Sequence, residues 1–397
     1  MMSLLPKSLL AFGLLLASVL VPSGAALAAN NSELQTLIRK CEAQNGEACT
    51  ELGALHLVGL GVPLDYSKAA EYYTKGCELQ DGSACGSLGT LYANGLGVPL
   101  DYTKAAKYFA KGCELQDGFA CGGLGSLYAN GYGVTQDYAK TAEYFAKGCE
   151  LQDGFACGGL GSLYANGYGV TQDYAKTAEY FAKGCELQDG FACGNLGMLH
   201  ANGLGTPIDY AKAAEYYSKG CELQDGSACA SLGKLHANGH GTPIDYAKAA
   251  EYYSKGCELQ NSLACGVLGW LHANGHGTPI DYAKAAEYYS KSCELQDGLA
   301  CGVLGTLYAT GQGLPLDYAK AAEYYAKGCE LQDGSACGGL GVLYLMGQGV
   351  PENDAKAVKY LTKGCELNDA GSCTALSKLA KIVLGKLQTI NYPKTTD

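Results

Sequence analysis

Twenty cysteines, six histidines and one Ser-x-x-Lys string are the residues of this 397-residue chain whose types and spacing could do chemistry. The cysteines form ten C-x7-C pairs: Cys41/Cys49, Cys77/Cys85, Cys113/Cys121, Cys149/Cys157, Cys185/Cys193, Cys221/Cys229, Cys257/Cys265, Cys293/Cys301, Cys329/Cys337 and Cys365/Cys373. Thiols at regular spacing can bind metal, shuttle electrons or cross-link. Zinc sites favour C-x2–4-C, and C-x-x-C is the usual redox spacing; neither is present. An even count behind an export signal reads as disulfides. Each bridge closes a short loop, worth roughly 2–3 kcal/mol in the chain-entropy picture. Their expected role is structural, bolting one segment to the next.

The histidines are His56, His200, His236, His240, His272 and His276. His236/His240 and His272/His276 stand four apart, a spacing that can offer two imidazoles to one metal on a continuous helix. Both pairs read His-Ala-Asn-Gly-His, so the glycine ends the helix between them. His200, His236 and His272 also occupy the slot that Tyr92, Tyr128 and Tyr164 fill elsewhere. They are therefore read as aromatic substitutes, and neither a metal site nor a cofactor is expected. Ser231-Leu232-Gly233-Lys234 places a lysine one turn from a serine, an arrangement in which an amine can activate a hydroxyl. The Gly-x-Gly strings recur by unit with no strand before them and read as turns, not phosphate loops.

The elements that position these residues follow from a 36-residue repeat, unbroken from Cys41 to Gly364, with a tenth unit begun at Cys365. Residues 113–148 and 149–184 are identical, letter for letter. Each unit reads as two helices. In the first, Ser83 to Asn94, Ala84, Leu88, Leu91 and Tyr92 share one face, with Asp81 as N-cap and Gly95 as stop. Asp101 caps the second, where Tyr102, Ala105, Ala106, Phe109 and Cys113 share a face. Gly89 and Ala69 permit close helix approach, and Glu71 and Lys75 are spaced for an outward ion pair. Stacked pairs bury one continuous core, so the expected fold is an all-α solenoid rather than separate domains. The organisation reads as a signal peptide over 1–28, a capping helix over 29–40, nine repeats over 41–364, a partial repeat and cap over 365–386, and a polar tail over 387–397.

The leader has Lys7, an uncharged apolar run from Ser8 to Val21 and an Ala26-Leu27-Ala28 cleavage signal. It predicts a secreted or periplasmic protein, since the run falls short of the ~20 residues that span a bilayer. A formal charge of −11 argues against nucleic acid or anionic membrane as partner. No membrane insertion is expected, and a monomer is expected.

The repeated string A-C-x-x-L-G-x-L-Y-x-x-G-x-G-V-P, followed by D-Y-x-K-A-A-E-Y-Y-x-K-G-C, closely resembles Sel1-like repeats, relatives of the tetratricopeptide repeat. The C-x7-C pair in every unit resembles the Helicobacter cysteine-rich protein family in particular. That resemblance implies a right-handed superhelix with one disulfide per repeat. It also carries a β-lactamase or penicillin-binding label and an association with host interaction. A β-lactam or peptidoglycan-like small molecule would then be the ligand, with Ser231 as nucleophile and Lys234 as base. The S-D-N and K-T-G strings that accompany a serine β-lactamase are absent.

A unique site should break the repeat, and one stripe does. The first helices vary most at the positions of Ser83, Ser87 and Thr90, which lie i, i+4, i+7 on the face away from Leu88 and Leu91. Mid-array these positions hold Phe119, Phe155, Phe191, Met198, Leu263, Val267, Trp270, Leu299 and Val303. First helices commonly line the concave surface of helix-pair solenoids. An apolar stripe there predicts a groove for a protein or peptide partner, which the loop residues Tyr132, Tyr168, His240 and His276 would extend. Gly123 reads as lying beside Phe119.

Overall fold

The computed structural model describes residues 31–379. The signal expected over 1–28 and the tail expected over 387–397 lie outside them. The chain divides after Leu223 into two units. The first holds α1 (Asn31–Glu42) and five helix pairs: α2 (Gly46–Val58) with α3 (Tyr66–Glu78), α4 (Gly82–Asn94) with α5 (Tyr102–Glu114), α6 (Gly118–Asn130) with α7 (Tyr138–Glu150), α8 (Gly154–Asn166) with α9 (Tyr174–Glu186), and α10 (Gly190–Asn202) with α11 (Tyr210–Glu222). The second holds α12 (Gly226–Asn238) with α13 (Tyr246–Glu258), α14 (Ser262–Asn274) with α15 (Tyr282–Glu294), α16 (Gly298–Thr310) with α17 (Tyr318–Glu330), and α18 (Gly334–Met346) with α19 (Asp354–Glu366). A further helical stretch covers 370–379. The described residues contain no strand. Within each unit the pairs stack in chain order, as an α-solenoid requires.

Local chemistry sets the helix ends. Asp81 is the N-cap of α4 and accepts from the Ala84 N–H (3.1 Å). Gly95, at φ 67°, closes the helix in the left-handed region and donates to Leu91 O. Asp101 caps α5 by accepting from the Lys104 N–H (2.9 Å). The turn into the next pair places Gln80 at φ 66°, and the Asp81 N–H returns to Gly76 O (3.1 Å). This tight turn is what brings the two cysteines of a pair together.

Packing follows the small residues. A Cβ on Gly89 would come within 2.9 Å of the Phe109 ring, so α4 and α5 meet where the first helix has no side chain. Ala69 and Ala105 are fully buried, as is Phe109. The expected Glu71–Lys75 ion pair does not form among the described residues: Glu71 lies in the exposed row of α3 while Lys75 is half-buried. Two other helices carry Lys107 and Lys359 at the Glu71 position, and there the lysine four residues on takes a backbone carbonyl instead. Lys111 Nζ donates to Cys77 O (2.7 Å), and Lys363 Nζ to Cys329 O (2.8 Å). Each lysine thus reaches a carbonyl at the C-terminal end of the preceding second helix, where the helix dipole favours a cation.

All twenty cysteines are disulfide-bonded. Cys41–Cys49, Cys77–Cys85, Cys113–Cys121, Cys149–Cys157 and Cys185–Cys193 staple the first unit. Cys257–Cys265, Cys293–Cys301, Cys329–Cys337 and Cys365–Cys373 staple the second. Each of these joins the end of one helix to the start of the next, Cys41–Cys49 from the lone α1 and the others from the end of a helix pair. These nine bridges take up eighteen cysteines; the other two, Cys221 and Cys229, are buried and also disulfide-bonded, as the tenth C-x7-C pair predicts.

Most first helices are capped by a half-buried aspartate, with a consequence for stability. Burial pushes the Asp153 carboxyl up to about 6; the Ala156 N–H it accepts from (2.7 Å) pulls it down, and the neighbouring Asp117 raises it further. Asp153 therefore ionises less readily in the folded chain than in the unfolded one. The stability tied to its proton is complete below about pH 4 and is lost as the pH rises through about 6. The chain already uses an uncharged version of this cap, since Asn45 accepts from the Ala48 N–H (2.8 Å). Asp153→Asn is therefore expected to be more stable than the parent at pH 8, by about 1–3 kcal/mol, with the gap closing by pH 4. Denaturant melts across that range check this; a gap that does not change with pH refutes it.

Candidate functional site

The variable stripe of the first helices becomes two different surfaces. In the first unit it is largely filled. Phe119, Phe155 and Phe191 are half-buried and pack edge-to-face on Phe109, Phe145 and Phe181 of the preceding second helices, with centroids 6.4, 5.9 and 6.2 Å apart. A Cβ on Gly86 would sit 3.3 Å from the Phe119 ring, so that ring also covers the preceding first helix. Gly123 is opposed by Phe109 (2.7 Å from a built Cβ), not by Phe119 as its sequence position suggests. Ser126 and Ser162, at the third stripe position, are buried. Met198 is half-buried.

In the second unit the same positions face solvent. Leu263 is 60% exposed, Leu299 62% and Trp270 46%. Val267 and Val303 are partly buried beside them and pack onto the core. Trp270, the chain's single tryptophan, stacks on His276 of its own loop (centroids 5.0 Å, planes 20° apart). His276 in turn lies against Tyr246, which starts the preceding second helix (5.1 Å). This three-ring column was only half legible: His276 was singled out as a loop contact, whereas Tyr246 has the same type in most repeats. Val342 and Met346 on α18 are also exposed and carried no signal beyond their apolar type.

The histidines in the aromatic slot are accounted for. His56, His200, His236 and His272 stack on Tyr72, Tyr216, Tyr252 and Tyr288, as Tyr92 stacks on Tyr108. Burial lowers the pKa of His236 and His272, and Lys248 and Lys284 lower it further. Gly239 and Gly275 end α12 and α14 in the left-handed region, so His240 and His276 lie beyond the helices that carry their partners. No group of three metal-binding side chains occurs among the described residues. Ser231 and Lys234 both lie on α12. Ser231 is half-buried, Lys234 is exposed, and no hydrogen bond joins them among the described residues. The geometry does not assemble a nucleophile with its base.

Nine consecutive matches to the Sel1 repeat model cover 46–81, 82–117, 118–153, 154–189, 190–225, 226–261, 262–297, 299–333 and 334–369. The chain belongs to the Sel1 repeat family. No curated protein sequence matches it. Among solved structures it is similar to a protective antigen of uropathogenic Escherichia coli strains that displays an SLR fold. That likeness has 26% identity and a TM-score of 0.58, over 89% of this chain and 83% of the other. A Sel1 repeat protein from Oxalobacter formigenes matches at 26% identity and TM-score 0.53, over 58% of this chain and 94% of its own. Cysteine rich protein B of Helicobacter pylori is 39% identical over 32% of this chain and 92% of its own, with a TM-score of 0.28. Among the described residues of this Sel1 repeat chain, no helix is long and apolar enough to cross a membrane.

Proposed function

We propose that this Sel1 repeat chain is an exported, disulfide-stapled scaffold that holds a protein or peptide partner against its first helices. The observation that carries the reading is the solvent exposure of Leu263 and Trp270 on α14 and of Leu299 at the equivalent position of α16. Val267 and Val303 floor that face, and Phe119, Phe155, Phe191 and Met198 offer half-buried edges in the first unit. Exposed large apolar residues aligned on one face mark an interaction surface, and tryptophan is favoured at interface hot spots. Twenty bonded cysteines support export to an oxidising compartment. The description of the Escherichia coli relative as a protective antigen supports contact with a host.

A display library of random twelve-residue peptides, panned on the oxidised protein, tests the reading. Selected peptides are expected to change Trp270 emission and to bind Trp270→Ala about 10–100-fold more weakly. Leu263→Ser combined with Leu299→Ser should weaken them similarly. Because these side chains are exposed, the variants should melt as the parent does. Peptides that bind all variants with unchanged affinity, or a failure to select any, refute the assignment of this face.

A further inference from the structure

The apolar face of the second unit carries a charge signature that narrows its partner. Its first helices α12, α14, α16 and α18 contain no aspartate or glutamate. Their one lysine is Lys234, and their histidines His236 and His272 sit in stacked slots that favour the neutral ring. The acid of this unit lies elsewhere: on the second helices, each with a mid-helix glutamate such as Glu251 and a terminal one such as Glu258, and at the caps, where Asp225 is occupied by the Ala228 N–H (2.5 Å). In a chain of net charge −11, the helices that carry the exposed apolar face thus hold no carboxylate of their own; Asp297, the cap between Leu263 and Leu299 in the sequence, is engaged by the Ser292 hydroxyl (2.9 Å) and the Ala300 N–H (3.3 Å).

Lys234 occupies the stripe position that Trp270 fills one repeat later, on a helix that contacts α14. It is exposed, and no acceptor or carboxylate engages its ammonium among the described residues. It is also the only charged residue at that position in the nine repeats, which otherwise place Ala54, Thr90, Ser126, Ser162, Met198, Trp270, Thr306 and Val342 there. A lone cation one repeat before the exposed Leu263 and Trp270 is complementary to an anion carried on an apolar segment. Covering the leucines removes water from the lysine's flank, which strengthens its pairing with an incoming carboxylate and leaves it costly to bury unpaired.

Resting on the reading that this face binds a peptide, we infer that the segment it accepts is apolar and acidic. Leucine-like or aromatic side chains cover Leu263, Trp270 and Leu299, and an Asp or Glu one repeat away pairs with Lys234. A basic segment is disfavoured, because Lys234 repels it and the cap carboxylates Asp225 and Asp297 are already hydrogen-bonded.

The test sequences the twelve-residue peptides recovered by panning on the full oxidised chain and measures their affinity for Lys234→Gln and Lys234→Glu. Recovered peptides should share an acidic residue at a fixed distance from an apolar cluster. Their affinity should fall about 3–10-fold for Lys234→Gln and further for Lys234→Glu, and it should weaken with added salt. Changing the peptide's acid to its amide should cost the parent protein a similar factor and cost Lys234→Gln nothing further. Peptides that depend on Trp270 yet show no acidic preference and bind Lys234→Glu unchanged would overturn the inference while leaving the face intact. Peptides indifferent to Trp270, or none recovered, would remove both. Lys234 is exposed, so its variants fold as the parent does and the comparison stays readable.

Discussion

Gly133→Ala is expected to destabilise the first unit by about 3–5 kcal/mol, whereas Gly131→Ala, two residues earlier, should cost only about 1–2 kcal/mol. The two glycines share a left-handed backbone, with φ 66° and 71°. Their surroundings separate them. A Cβ on Gly131 would meet Gln136 Cβ at 3.3 Å, a tight contact but one without overlap. A Cβ on Gly133 would overlap the backbone carbonyl of Tyr102, at the start of the preceding second helix. That carbonyl cannot move without unseating α5, and Tyr132 is stacked on Tyr102 at 4.9 Å beside it. The Gly133 methyl therefore forces the loop off the neighbouring repeat, while the Gly131 methyl adds only backbone strain. Denaturant melts of both variants check this. Equal losses would show that the loop-to-helix contact contributes little to repeat stacking.

Reduction should have the largest effect of all. Each bridge closes a loop of nine residues, worth about 2.6 kcal/mol by the chain-entropy relation. Five such bridges in the first unit sum to more than the ~5–15 kcal/mol by which domains are usually stable, taken at its middle. The fully reduced chain is therefore expected to lose cooperative helical structure at room temperature. Replacing one pair, Cys149→Ala with Cys157→Ala, should cost about 2–4 kcal/mol, because both sulfurs are also fully buried. Circular dichroism before and after reduction, and melts of the double variant, test this. A reduced chain that keeps its melting transition would place the stability in helix packing instead.

Much of the architecture was legible because its causes are local. Asp81, Gly95 and Asp101 cap helices through contacts three or four residues away, and the bond between Cys149 and Cys157 spans eight residues through a turn that the sequence spells out. Gly89 was legible as a point of close helix approach, though not the ring, Phe109, that it admits. The Glu71–Lys75 spacing misled, because spacing on a helix does not fix how far each side chain is covered: Glu71 stays exposed while Lys75 is half-buried. Gly123 misled for a related reason: its opposing ring belongs to the helix before it.

The candidate site divides along the same line. The repeat, the helix pairs, the cysteine bridges within each unit and the stripe of variable positions all depend on residues inside one repeat or at its immediate junction, so reading the residues in order was enough to find them. Which part of the stripe is open was settled by packing between repeats. Phe119 and Leu263 occupy equivalent positions, yet one packs edge-on to Phe109 and the other, with Tyr253 in the equivalent slot before it, is left 60% exposed. Exposure depends on which ring the previous repeat supplies and on the volume it fills, and that sum is fixed only when the helices pack.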